Sequence, residues 1–134
     1  AKVVPPKAVT APMLGALKAA GTPITMLTCY DASFASLMDR CCVHMLLIGD
    51  SLGMVIQGHD STLAVSVEAM EYHVRCVARG STRALVIADM PFGSFQESPE
   101  QAFRTFQTAV RADEVELLVA DACYASAIRD LGVL

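Results

Sequence analysis

Charge is scarce in this 134-residue chain: Asp, Glu, Lys and Arg supply 18% of it, against 54% apolar residues. The charges that exist balance to a formal −4 and form no basic stripe, which argues against nucleic acid as a partner. No apolar run approaches the roughly 20 residues of a membrane span. The opening stretch, AKVVPPKAVTAP, lacks the apolar h-region of a secretory signal. Five cysteines (Cys29, Cys41, Cys42, Cys76, Cys123) make an odd count with no C-x-x-C spacing, so neither a disulfide framework nor a zinc site is indicated. A reducing cytoplasm is the simplest setting. The vicinal pair Cys41-Cys42 reads as small core or helix-end residues. A single domain of this length has a real core. So apolar a composition implies strands buried on both faces, as in parallel sheets, or apolar surface kept for a partner.

What the chain does have is a repeated pattern. Four apolar runs each close on an aspartate: ITMLTCYD at Asp31, MLLIGD at Asp50, ALVIAD at Asp89 and LLVAD at Asp121. Helix-like stretches separate them. The pattern predicts parallel strands over 24–28, 44–48, 84–88 and 115–119, with their C-terminal ends turning carboxylates toward one mouth, where α/β folds bind ligands. Helices are expected over 13–20, 32–40, 66–79, 99–111 and about 122–131. Ser66 and Ser98 are read as N-caps, Pro99 as the first helical residue and Gly80 as a stop. Residues 1–12 read as an extended arm and 13–134 as the domain. The stretch GDSLGMVIQGHDST, with Gly49, Gly53 and Gly58, reads as a long functional loop. Four βα units are half of an eightfold barrel, and a half-barrel has two open strand edges.

If strands two and three are neighbours, about 4.7–4.9 Å apart, Asp50 and Asp89 end side by side. Two carboxylates so placed suit a hard divalent cation such as Mg²⁺. Each serving as a cap for the next helix or turn is the other reading. Ser51 is a donor to a bound anion or a turn hydroxyl. Asp31, ahead of a helix, reads as an N-cap, and His59 as a residue whose hydrogen bond orders its loop. His44 and His73 read as structural, and Met45, Met54 and Met90 as packing residues.

The segments TCYDASFASLMD, LLIGDSLGMVIQGHDSTL, YHVRCVARG, ADMPFGSF and SPEQAF, together spanning roughly residues 12–112, resemble the ketopantoate hydroxymethyltransferase family. The resemblance implies a (βα)₈ barrel of TIM type, of which this chain supplies about the first four units, and a homo-oligomer, the family's decamer. It implies transfer of a one-carbon unit from 5,10-methylenetetrahydrofolate to α-ketoisovalerate, giving ketopantoate for pantothenate synthesis. It assigns Mg²⁺ to Asp50 and Asp89, and the substrate carboxylate to Ser51.

Beyond Ala112 the pattern departs from the family's V-K-x-E-G-G strand. In ungapped register Leu118 stands for the substrate-binding lysine and Ala120 for the metal-supporting glutamate. A one-residue shift brings Asp121 to the acidic place but still leaves no lysine. The glutamate that the family uses as general base has no counterpart here, so no catalytic base is named. A metal-dependent keto-acid lyase on the same barrel type is disfavoured by GDSLGM followed by QGHDST. A catalytically incomplete half-barrel acting in assembly is the alternative from outside enzymology.

Overall fold

The computed structural model describes residues 7–109 and 117–119. The expected final helix, together with Ala120 and Asp121, lies outside them. Four strands, β1 (Met26–Thr28), β2 (Met45–Ile48), β3 (Leu85–Asp89) and β4 (Leu117–Val119), form one sheet in chain order, every pair parallel. The described sheet is therefore open, with β1 and β4 as its edges. Met26 and Leu27 on β1 are about half exposed, which a closed sheet would not leave.

Alternation along the strands builds two apolar layers. Leu46 and Ile48 of β2 and Val86 and Ala88 of β3 face the helices α2 (Ala32–Arg40) and α4 (Val67–Gly80), through Ala35, Met70, Val74 and Val77. Leu85 and Ile87 face the other way, against Val9 and the half-buried Met13 and Leu14 of α1 (Ala11–Ala19). The helix thus starts two residues before the expected 13, with a proline in its first turn, where no N–H is needed. Val9 is buried and donates its N–H to the Arg83 carbonyl at 2.7 Å. Those last residues of the expected arm are docked onto the sheet.

Local chemistry sets the helix ends. Asp31 caps α2, accepting the N–H groups of Ser33 at 2.8 Å and Phe34 at 2.9 Å, and Ser66 caps α4 by accepting that of Ala69 at 3.2 Å. Ser98 accepts the N–H of Gln101 at 3.1 Å at the head of α5 (Pro99–Ala109), where the cap was expected. The end of α2 is a Schellman turn: Cys42 N–H donates to Asp39 O and Val43 N–H to Met38 O. Cys42 occupies its left-handed position with φ 62°, a place that favours glycine. Both Cys41 and Cys42 are exposed, so of the two expected roles they take the helix end and not the core.

Gly80 ends α4, the stop expected of it, without a left-handed backbone, and a Cβ there would stand 2.2 Å from the Ala32 carbonyl oxygen. Its missing side chain lets α2 and α4 touch backbone to backbone. The reading of the glycine-rich stretch as a loop needs correction: it holds one helical turn, α3 (Leu52–Val55), and a 3₁₀ turn, Thr62–Ala64, starts at its last residue. Leu52 and Val65 are buried and pin the two to the core.

Candidate functional site at the C-terminal ends of the strands

Tyr30 and Asp31 follow β1, Gly49, Asp50 and Ser51 follow β2, and Asp89 ends β3. The β2–β3 register pairs Ile48 with Ala88, so Gly49, one residue on, is level with Asp89 and Asp50 lies one step beyond. Asp89 continues the row of Leu85 and Ile87, on the sheet face away from α2 and α4. A Cβ on Gly49 would sit 3.2 Å from Ser51 Oγ and 3.4 Å from Asp89 Oδ2. The bare backbone of Gly49 is thus a floor over which a hydroxyl and a carboxylate converge.

Ser51 lies at the start of α3 without capping it, so its hydroxyl is not spent on the helix. It meets the Tyr30 hydroxyl at 2.5 Å. Tyr30 is held in turn by His73 of α4, whose Nδ1 lies 2.8 Å from the Tyr30 carbonyl oxygen. A carbonyl only accepts, so Nδ1 carries the proton. The two rings meet edge to face, 6.3 Å apart at 82°. No local motif signals this Tyr30–Ser51 contact, which spans 21 residues of sequence. The structural role expected for His73 is thus support of Tyr30.

The Asp50 carboxylate has no hydrogen-bond or ion-pair partner among the described residues. No group of three or more His, Cys, Asp or Glu side chains among those residues is gathered for a metal. Mg²⁺ commonly takes only one or two carboxylates and fills its remaining positions with water or substrate oxygens. An unengaged Asp50, the Asp89 oxygen over Gly49 and the room left by that glycine fit such an ion.

The other candidates are not brought into this group. The Asp31 carboxylate is spent on its cap. His59 is exposed, and the expected bond that orders its loop is made by its backbone N–H, which donates to Gly53 O at 2.9 Å. His44 bonds Thr25 at the start of the strands through Nδ1 and its own N–H. Met45 and Met90 pack, but Met54 is half exposed on α3. Leu118 is paired with Ala88 in the β3–β4 register. Burial pushes the Cys29 thiol up, an effect only partly offset by hydrogen bonding around Asp31. A cavity of about 200 Å³ lined by Val9, Ser81, Thr82 and Arg83 lies before β3, at the opposite end of the strands from Asp89.

The family model for ketopantoate hydroxymethyltransferase matches residues 8–131, a span that runs past Ala112 and takes in Leu118 and Asp121. Three similar proteins are all named 3-methyl-2-oxobutanoate hydroxymethyltransferase. That of Janthinobacterium sp. (strain Marseille) is 60% identical over 106 residues, 79% of this chain and 39% of the relative. That of Azoarcus sp. (strain BH72) is 61% identical over 98 residues, 73% of this chain and 36% of the relative. That of Chromobacterium violaceum is 62% identical over 95 residues, 71% of this chain and 36% of the relative. The chain thus spans less than two fifths of the length of these relatives.

Proposed function

The chain belongs to the ketopantoate hydroxymethyltransferase family, and from that premise we propose that the protein transfers a hydroxymethyl group from 5,10-methylenetetrahydrofolate to α-ketoisovalerate, giving ketopantoate. This segment would supply the keto-acid and metal half of the site, on a (βα)₈ barrel completed by further βα units and assembled as a homo-oligomer in the cytoplasm. The observation that carries the reading is the convergence of Ser51 Oγ and the Asp89 carboxylate over Gly49.

Asp50 and Asp89 would hold Mg²⁺. Bound there, the ion supplies Lewis-acid polarisation of the 2-keto group, which acidifies the neighbouring C3–H. The chain's own residues do the rest of the binding. Ser51 donates its hydroxyl proton to the substrate carboxylate. Gly49 leaves room for that carboxylate to approach the backbone. Loss of the C3 proton creates the carbon nucleophile, which forms its new bond to the methylene carbon as that carbon's two bonds to folate nitrogens are broken. Water supplies the hydroxyl group, its other proton and the one lost from C3 end on the two nitrogens, and ketopantoate and tetrahydrofolate leave. No described side chain is assigned to taking the C3 proton. In the ungapped register Leu118 stands in place of the family lysine, which would remove one cation from the carboxylate end and put more of its recognition on Ser51.

The half-exposed Met26 and Leu27 on the open β1 edge favour a second reading, in which the isolated chain serves assembly alone. Incubation with ¹³C-labelled methylenetetrahydrofolate and α-ketoisovalerate separates the two. Labelled hydroxymethyl carbon in ketopantoate supports the transfer reading. Its absence, with the chain folded and self-associated, supports assembly.

A further inference from the structure

We infer that Tyr30 is a positioning residue for the keto-acid carboxylate: its phenol fixes the Ser51 hydroxyl so that the Ser51 proton points at the bound anion. This rests on the keto-acid reading above and adds to it a residue outside the metal and carboxylate ligands.

The argument starts from hydrogen-bond capacity. A serine hydroxyl has one proton to give and two lone pairs to accept with. At 2.5 Å from Tyr30 Oη, Ser51 Oγ is either donor or acceptor in that bond. A phenolic O–H is a stronger proton donor than an aliphatic hydroxyl. Tyr30 therefore gives its proton, Ser51 accepts, and the Ser51 proton is left for a different acceptor. Without the phenol, that proton is free to rotate toward any acceptor nearby, the Asp89 oxygen over Gly49 included.

Tyr30 is built to hold this position. Its carbonyl takes the Nδ1 proton of His73 at 2.8 Å, and its ring lies edge-on to the His73 ring, which Tyr72 braces from its own side at 5.3 Å and 85°. Cys29 before it is buried, and Asp31 after it is locked in the α2 cap. Elements α2 and α4 thus fix the backbone on both sides of a side chain that reaches across to Ser51, three residues past the end of β2. Tyr30→Phe keeps the ring and its packing and removes only the oxygen.

The test is a double-mutant cycle on the dissociation constant of α-ketoisovalerate at saturating Mg²⁺, followed by ligand-observed NMR, with wild type, Tyr30→Phe, Ser51→Ala and the double variant. The expected result is weakening of about fivefold for Tyr30→Phe and at least as much for Ser51→Ala, on the scale of one hydrogen bond. The double variant then binds no more weakly than Ser51→Ala alone, because Tyr30 acts only through Ser51. Wild-type affinity in Tyr30→Phe, or two losses that simply multiply, overturns the inference and leaves the function reading standing. No binding by the wild-type chain overturns the function reading, and the inference with it.

Discussion

The backbone N–H of Ala84 donates to Asp39 Oδ1 at 2.7 Å, tying the end of α2 to the residue before β3. The same carboxylate accepts from Ser81 Oγ, Thr82 N, Thr82 Oγ1 and Arg83 N at 3.0–3.1 Å. Burial alone would raise the Asp39 pKa, but the N–H groups of Ala84 and Thr82 and the hydroxyls of Thr82 and Ser81 outweigh it and hold it below its ordinary 3.8. Asp39→Ala leaves these donors without their acceptor and is expected to cost about 2 kcal/mol in urea unfolding. Because the folded pKa is depressed, the carboxylate's contribution is complete above about pH 5 and is lost as pH falls through the folded value. Asp39→Asn should therefore flatten the acid limb of the stability profile. An acid limb as steep as wild type would contradict this role.

Two exchanges involving glycine should move stability in opposite directions. Gly80→Ala would gain helix propensity in an open helix. Here the new Cβ meets Ala32 backbone atoms at 2.2–2.9 Å, and backbone cannot swing aside as a side chain can. A loss of about 1–3 kcal/mol is expected as α2 and α4 are forced apart. Cys42→Gly relieves a left-handed residue at φ 62° and should gain about 1 kcal/mol. Urea midpoints of the two variants check both signs.

Asp50→Asn tests the metal assignment. The amide keeps the shape and removes the charge from a site carboxylate that has no hydrogen-bond or ion-pair partner among the described residues. Mg²⁺ binding by calorimetry should weaken by about tenfold or more. Unchanged affinity would place the ion elsewhere.

Leu118→Lys tests the register after Ala112. Pairing of Leu118 with Ala88 sets its backbone one residue before the partner of Asp89. A lysine there should tighten α-ketoisovalerate binding by about fivefold, through one charge-assisted contact. No gain would mean that the family's lysine position corresponds to another residue of this chain.

The strands were legible because each is an apolar run closed by an aspartate, and buried parallel strands need no other signature. The caps at Asp31, Ser66 and Ser98 were legible because a cap acts on residues two or three places ahead. What was missed acts over distance. Asp39 gathers its donors from residues 42 to 45 positions away, and Tyr30 reaches Ser51 across 21. Neither contact follows from composition or period; both follow from which loops the sheet order brings together. Gly80 was legible as the end of its helix, but not the room it makes for a second helix, because that depends on Ala32, 48 residues away. The turn at Leu52–Val55 was hidden because glycines flank and interrupt it, and its burial depends on Val65, beyond the loop itself.

The central claim is that this segment carries the keto-acid and metal half of a hydroxymethyltransferase site. Proton NMR of α-ketoisovalerate in D₂O with the chain and Mg²⁺ tests it most directly, through loss of the C3 proton signal. The account predicts exchange faster than with Mg²⁺ alone, and its disappearance in Asp50→Asn. Exchange no faster than the metal-only control would contradict it.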